Sequence, residues 1–518
     1  MQRQTPVKRW ILPQHPQRAV PVESPSIYDG AVSSVPVSSS IGSNQNSGSP
    51  LFDFIVAEAM TQPDWSILTN DALAHDFSAH LPGYSSLPSP ALQLSLGRFS
   101  QYAGLPTLVP LTDADRNALD YYQRETAFGF GSKAPVWSTH AILLESGTQD
   151  AAIIHLLLAA AFAEMAWQGE DCSAMHVAAE KHHQIGCQAL LEKINAEDNQ
   201  HHLVIMACFW FLFLQQRRRP LQRHIAYEEL SRLMVAHVRK HQLDLILTSA
   251  DREVSRRGSL LARLAVWLFW VDVQSCFHGE GGSLARQLFS APSTSASTTR
   301  SLDLFECSRA TLELHWGSRY PISEIRDDIE NSSTLELIHR TWVIVQELNE
   351  EGVPCVPERR HEIGAKMEAL RRKFGSVFRL ADDLTSPRDR LLCNADWAAC
   401  NFHALTIYHH RWSSPEGGVG VADTVADLLS IIRKTLAGGG KGQLDRVQWP
   451  LFWAGVETDD VYYQDWISAR MTNRRLQAAL QAVYQEQVLS GSRVNIGRIR
   501  QLCRQSCADV LLSDRIPM

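Results

Sequence analysis

The segment LVIMACFWFLFL, residues 203 to 214, constrains the fold of this chain most strongly. All of its side chains are apolar, so a helix formed by it has no face suited to water. It is also much shorter than the about 20 apolar residues that cross a membrane. A helix surrounded by other helices buries every side of such a segment. The sequence therefore predicts a helical bundle with this segment at its centre.

The rest of the chain from about Leu111 repeats the helical signal. Ala151 to Trp167 and Leu260 to Val273 are further apolar runs, and the first contains His155 and Glu164, so no transmembrane helix is expected. No series of short alternating strands occurs. A length of 518 residues allows one large helical domain and a tail. We expect an all-α fold, a large multi-helix bundle or array over residues 111–518.

The N-terminal part of the chain has a different composition. Residues 1–50 are rich in Pro, Ser and Gln, which predicts a disordered tail. Residues 51–110 form an acidic-hydrophobic linker, beginning LFDFIVAEAM. Between Ala19 and Gly97 there is no Lys or Arg, and the acidic residues give this interval a net charge of −7, the value of the whole chain. Two interpretations of the linker stay open: an activation segment, or helices that dock on the domain.

Charge and cysteine usage limit the classes of partner and compartment. A net charge of −7 and a pI near 6.3 provide no general basic field for a nucleic-acid backbone. Direct binding to DNA by this chain is therefore doubtful. The ten cysteines are scattered, and no CxxC motif occurs. Reduced, buried thiols are the expected state.

Two predicted helices carry Cys and His with ligand types that suit zinc. The spacing does not suit one ion, because a rise of about 1.5 Å per residue spreads each set over more than about 20 Å. A half-site at Cys172 and His176 completed from elsewhere is the alternative that remains. We assign no metal ligand to either set. The two sets are Cys172, His176, His183 and Cys187, and Cys393, Cys400, His403 and His410.

Two short motifs resemble those of enzymes but lack the required context. Residues Gly129 to Ala134, GFGSKA, match a relaxed dinucleotide fingerprint without a strand before it. Residues Gly281 to Ala285, GGSLA, resemble a nucleophile elbow, which requires a parallel sheet around it. We therefore assign no catalytic and no cofactor-binding residue, expect no cofactor, and do not expect an enzyme.

Clusters of basic residues provide two weak nuclear-import patterns. Arg359 and Arg360, followed after a spacer by Arg371 to Lys373, fit a bipartite signal in form. Arg217 to Arg219 form the second pattern. The first pattern lies in a helical stretch, where basic residues usually form a solvated face, and this is its alternative interpretation.

The stretch QWPLFWAGVETDDVYYQDWISARM, residues 448 to 471, predicts two helices joined by a polar corner. Trp449, Phe452 and Trp453 share a helix face, and we expect them in the core together with Trp466. Gly455 is expected to let another backbone come close. Thr458 or Asp459 is expected to cap the second helix.

Several segments, taken in order, resemble the regulatory domain of fungal binuclear zinc-cluster transcription factors, over roughly residues 111–513. The resemblance implies a nuclear transcriptional regulator whose helical domain acts through the transcription machinery, other regulators or a small-molecule effector, with self-association left open. The segments are ALDYYQRETAFGF, AAIIHLLLAAAFAEMA, AAEKHHQIGCQALLEKI, HLVIMACFWFLFL, LSRLMVAHVRKHQLDLI, LAVWLFWVDVQSCFHGEGG and VQWPLFWAGVETDDVYYQDWISARM.

The chain departs from this family at its N-terminus. The family binds DNA through six cysteines that hold two zinc ions, whereas the first cysteine here is Cys172. No DNA-binding residue can therefore be transferred to this sequence. The alternative expectation is a helical co-regulator or scaffold with no DNA contact of its own.

Overall fold

A computed structural model describes the chain from residue 108 onward, with gaps. The predicted disordered tail, residues 1–50, and the acidic-hydrophobic linker up to residue 107 lie outside the described residues. Within the described part the secondary structure is helical and contains no strand. The predicted all-α fold is therefore confirmed. The described residues are 108–127, 133–168, 173–196, 201–216, 218, 227–248, 255–277, 281–289, 297–351, 356–383, 389–413, 419–438 and 441–513.

The first group of helices follows a capped start. Thr112 and Asp115 form a capping box, in which each side chain accepts a hydrogen bond from the other residue's backbone N–H. The helices are α1 (Asp113–Tyr121), α2 (Thr139–Thr148), α3 (Ala151–Gln168), α4 (Ser173–Asn195), α5 (His202–Gln216), α6 (Tyr227–Lys240), α7 (Leu243–Thr248), α8 (Arg256–Phe277), α9 (Ser283–Phe289), α10 (Ser297–Arg309) and α11 (Thr311–Trp316).

The second group begins with the longest described helix. It contains α12 (Ile322–Glu350), α13 (Pro357–Lys373), α14 (Gly375–Asp382), α15 (Arg390–Ser413), α16 (Ala422–Gly438), α17 (Lys441–Arg446), α18 (Gln448–Glu457), α19 (Val461–Ser468), α20 (Arg474–Ser490) and α21 (Ile496–Ser513). Helix α15 packs against α12, α14, α16 and α18, and α20 pairs with α21. Helix α15 is therefore the centre of this group.

Helix α5 lies in the core, as its all-apolar sequence predicts. Every side chain from Ile205 to Leu214 is buried. Helix α5 packs against α3 and α8, and α3 packs in turn against α4. By length and composition α3 and α8 are apolar enough to cross a membrane, but 72% and 67% of their apolar windows are buried in the structure. Burial of this kind is typical of core helices.

The stretch 448–471 is built as predicted at its first helix and differs at its second. Trp449, Phe452 and Trp453 are buried in α18, which packs between α15, α16 and α20. The prediction that Trp466 lies in the core is wrong, because the indole is half-buried and the guanidinium of Arg470 lies 4.2 Å from its ring centroid. The short helix α19 lies near the surface, where a cation can cover an aromatic face.

Two local predictions at the corner are also corrected. Asp460, and neither Thr458 nor Asp459, caps α19, since its carboxylate accepts from the backbone N–H of Tyr462 at 2.9 Å. Gly455 does allow a close approach, but the contact is with side chains of α20 and not with a backbone. A Cβ on Gly455 would lie 2.8 Å from Leu480 Cδ2 and 2.9 Å from Tyr484 Oη.

Candidate functional site: a groove at the 457–460 corner

The corner between α18 and α19 forms one wall of a groove of about 780 Å³. The wall contributed by α16 and the residue before it is mainly apolar, whereas the corner contributes hydroxyl and carboxylate groups. A groove with one apolar and one polar wall suits an amphipathic small molecule. The lining consists of Val421, Ala422, Val425, Ala426, Leu429, Ser430 and Arg433 on one side, and Glu457, Thr458, Asp459, Asp460, Tyr463 and Arg493 on the other.

Glu457 anchors this corner through two arginines. Arg411 of α15, which is fully buried, donates from Nε to one carboxylate oxygen of Glu457. Arg493 donates from Nη1 to the other oxygen at 2.8 Å. Arg411 also donates to the backbone carbonyls of Val494 at 3.0 Å and Val456 at 3.4 Å. Buried charges are tolerated when their hydrogen bonds are made, as they are here.

The mouth of the groove carries charges that are open to solvent. Arg493 extends from Glu457 to Asp459, with 3.0 Å between Nη2 and Oδ2, and the Asp459 side chain is 78% exposed. Arg433 donates to the hydroxyl of Tyr463 at 3.4 Å in an exposed position. The backbone carbonyl of Thr458 accepts from the side-chain amide of Gln464 at 2.9 Å, which fixes the corner. Charged groups of both signs are thus available to a polar ligand end.

The lining of the groove lacks the groups that acid–base or nucleophilic chemistry commonly uses. The described lining residues include no histidine, cysteine or lysine. Thr458 and Tyr463 carry hydroxyl groups, but the described lining contains no imidazole that could act as a base to activate them. The arrangement can bind a molecule by shape and hydrogen bonding, and it offers no nucleophile paired with a base.

Two members of the first Cys/His set, His183 and Cys187, are buried, whereas His176 is half-buried. Cys172 lies outside the described residues. His183 Nδ1 lies 2.7 Å from Gln215 Oε1, and Cys187 Sγ lies 3.6 Å from His183 Nε2. The contact between His183 and Gln215 joins α4 to α5, and the contact between Cys187 and His183 lies within α4. The imidazole of His183 is thus a buried hydrogen-bonding group of the core.

The second Cys/His set is distributed along α15, where Cys400 and His403 are buried and Cys393 and His410 are half-buried. Burial raises the pKa of the Cys400 thiol well above its usual value, so the thiol stays protonated. Burial lowers the pKa of His403 to about 4. Helix geometry separates Cys393 from His410, as the spacing predicts.

Three histidines outside both sets come together between α5 and α6. His202, His237 and His241 offer nitrogen atoms that all lie within 4.8 Å of one another. Burial and the neighbouring imidazoles of His241 and His202 lower the pKa of His237 to about 3. This cluster is not among the sites expected from the sequence, although His237-Val-Arg-Lys-His241 has the i, i+4 spacing of metal-binding histidines on a helix.

The GGSLA motif is the capped start of α9. The hydroxyl of Ser231 accepts from the backbone N–H groups of Ser283 at 3.1 Å and Leu284 at 3.2 Å. The buried carboxylate of Asp272 accepts from the backbone N–H of Ala285 at 2.8 Å. These residues satisfy orphan donors of a helix N-terminus.

The dinucleotide-like motif is only partly described. Gly129 and Gly131 lie outside the described residues. The ammonium of Lys133 is buried among carboxylates of α12, at 3.1 Å from Glu324, 2.8 Å from Asp327 and 3.1 Å from Asp328. Lys133 therefore neutralises acids of the domain.

The basic clusters are partly engaged in ion pairs. Arg359 lies 2.7–3.0 Å from the carboxylates of three glutamates, and Lys373 lies 2.6 Å from Glu336. Arg371 and Arg372 are exposed. Arg218 is buried with Glu164 and Asp445, and its neighbours 217 and 219 lie outside the described residues. An import receptor would have to compete with these contacts. The glutamates around Arg359 are Glu347, Glu351 and Glu362.

Comparison of the chain with protein-family models, with curated proteins and with solved structures gave no match.

Proposed function

We propose that this chain is a transcriptional regulator of fungal type that binds a small-molecule effector in the groove at the 457–460 corner. It acts in the nucleus through other regulatory proteins. The observation that carries the proposal is the position of the groove. Its polar wall includes the segment ETDD, residues 457–460, which belongs to the most specific portion of the family resemblance.

The composition of the groove supports an amphipathic effector. Apolar side chains of Val425 and Leu429 are available to its body, and the exposed Arg433 and Asp459 are available to its polar end. The buried Arg411–Glu457 pair beneath holds the corner in place. An effector that bridges α16 and α19 would stabilise one arrangement of these helices, since a ligand shifts a population toward the state that it binds better.

A tethered reporter tests this function. The full chain, fused to an unrelated DNA-binding domain, is expected to change reporter output, and a panel of amphipathic metabolites is expected to contain one that alters this output. Thermal-shift measurements on the purified chain with the same panel should detect that compound. No change in reporter output from the tethered chain would contradict a role in transcription and leave a scaffold as the better description.

A substitution that fills the groove tests effector binding separately from the effect of the chain on transcription. Ala426 is exposed and lines the groove, so Ala426→Trp should block it and abolish the response to the compound. Ala437 is exposed on the same helix and does not line the groove, so Ala437→Trp is the matched control. An unchanged response in Ala426→Trp would show that the effector binds elsewhere.

A further inference from the structure

The histidines His202, His237 and His241 form a cluster that the proposed function does not use. His202 begins α5, His237 lies in the last turn of α6, and His241 follows α6 by one residue. The backbone N–H of His241 donates to the carbonyl of His237 at 3.2 Å, which keeps these two residues on one helical face. Two chain segments 35 residues apart therefore supply the three rings.

One distance within this cluster matches the separation of two nitrogens on a metal ion, and all three nitrogens lie within 4.8 Å of one another. His202 Nδ1 and His237 Nε2 lie 3.2 Å apart. Two nitrogens that bind one tetrahedral zinc ion at about 2.0–2.1 Å are separated by roughly 3.3 Å. The ring of His241 lies 4.5 Å from that of His202 and 4.8 Å from that of His237, centroid to centroid. The ring of His241 is therefore close enough to both for its nitrogen to be the third ligand.

The backbone after α6 helps to place His241. Gln242, the next residue, has a φ of +50°, in the left-handed region that residues other than glycine seldom adopt. Its N–H donates to the carbonyl of Arg239 at 3.2 Å, closing the end of the helix. The side chain of Arg239 is directed to α9, where it donates to Gln287 Oε1 at 2.6 Å.

We propose that His202, His237 and His241 bind one Zn²⁺ ion and thereby join the N-terminus of α5 to the end of α6. Three imidazoles suit zinc and related transition metals, whereas Mg²⁺ and Ca²⁺ prefer oxygen ligands. His202 and His241 are half-buried, so the fourth position faces solvent and accepts water or an anionic group of a ligand. Because α5 is the core helix, zinc binding stabilises the fold around it.

Metal titration of the full chain tests the site. Metal-free protein is expected to take up one Zn²⁺ per chain in equilibrium dialysis, to show a higher Tm with Zn²⁺, and to show no rise with Mg²⁺ at the same concentration. Co²⁺ added in place of Zn²⁺ should produce the visible absorption of a tetrahedral site. His241→Gln, at a half-buried position outside the helix, should weaken zinc binding at least about 100-fold, more than the loss of an outer-shell partner.

The neighbouring residue His201 provides the matched control. His201→Gln changes an adjacent imidazole that is not one of the three and should bind zinc as the unaltered chain does. Far-UV circular dichroism of both variants checks that they fold. Zinc uptake that is unchanged in His241→Gln, or equally lost in His201→Gln, would overturn the assignment. Absence of stoichiometric uptake by the unaltered chain would overturn it as well, whatever the outcome at the groove.

Discussion

Glu457 is the residue on which the local structure of the groove depends most. Its carboxylate is shared by Arg411 and Arg493, which come from α15 and from the segment before α21. Each arginine also has a second acceptor, at the carbonyl of Val494 and the carboxylate of Asp459. One buried charge therefore connects three parts of the chain. In this arrangement, removal of the carboxylate leaves a buried guanidinium without its counter-charge.

Glu457→Gln is expected to lower the free energy of unfolding by about 3–5 kcal/mol, because it leaves the buried Arg411 cation unneutralised. Urea unfolding monitored by tryptophan fluorescence measures the change. Asp459→Asn is the control, since it removes an exposed partner of the same arginine and should cost less than about 1 kcal/mol. Similar values for the two variants would mean that Glu457 does not support the corner.

At the level of whole helices, the closeness of helix–helix contacts differs from one glycine to another. Helices α3 and α4 approach at Gly186, where a Cβ would lie 2.7 Å from Leu156 Cγ and 3.1 Å from the Leu156 backbone nitrogen. Gly364, in α13, has open space, since a Cβ there would lie 3.8 Å from its nearest neighbour, His409 Cε1. Packing therefore requires a glycine at position 186, whereas it does not require one at position 364.

Gly186→Ala should destabilise the fold by about 1–3 kcal/mol, because the backbone of α3 cannot move aside as a side chain can. Gly364→Ala should be neutral or stabilise by about 0.5–1 kcal/mol, because alanine favours the helix and costs less backbone entropy. Thermal unfolding of the two single variants measures both effects. A stabilised Gly186→Ala variant would show that the contact between α3 and α4 is looser than the structure indicates.

Helical periodicity predicted which faces of α18 and α5 are buried, whereas the local predictions for Trp466 and for the residue that caps α19 were wrong. The burial of Trp449, Phe452 and Trp453 follows from their i, i+3, i+4 spacing, and the all-apolar sequence of α5 placed it in the core. The ion pair between Arg411 and Glu457 joins residues 46 positions apart, and His202 meets His237 across 35 positions. Local periodicity carries no information on such pairings. The groove was therefore not predictable from the sequence, whereas the polar corner between α18 and α19 was.

At the scale of the whole molecule, long-range ion pairs connect helices that the apolar core alone would not orient. Arg218, which follows α5, donates to Glu164 of α3 at 2.8 Å and to Asp445 of α17 at 2.7 Å. Asp327 of α12 accepts from Lys133 at 2.8 Å. These contacts place charges from distant parts of the sequence in the protein interior. Burial also lowers the pKa of histidines there. Several of the latter are held neutral in the folded chain.

The chain should therefore lose stability between about pH 6.5 and about pH 3. Burial lowers the pKa of His140 and His339 to about 3, whereas an unfolded histidine titrates near 6.5. Below pH 6.5 these histidines become protonated in the unfolded state but stay neutral in the folded state. The stability of the fold is therefore full above pH 6.5 and declines below it. At pH 5 each of these two residues costs about 2 kcal/mol, a large part of a typical 5–15 kcal/mol.

The hydrogen bonds of His339 make it the residue with which to test this dependence. Trp270 Nε1, which is only a donor, lies 3.2 Å from His339 Nδ1, so Nδ1 accepts, and Nε2–H is left to donate to the carbonyl of Ser301 at 3.1 Å. Both nitrogens are thus committed in the neutral ring. His339→Gln removes this group and should reduce the slope of unfolding free energy between pH 6.5 and 5 by up to about 1.4 kcal/mol per pH unit.

Urea unfolding at a series of pH values measures the slope, and His361→Gln, at an exposed position of α13, should leave it unchanged. A slope that His339→Gln does not alter would mean that His339 takes up its proton in the folded state as well. That result would contradict the neutral ring between Trp270 and Ser301, because protonation at Nδ1 places two donors face to face.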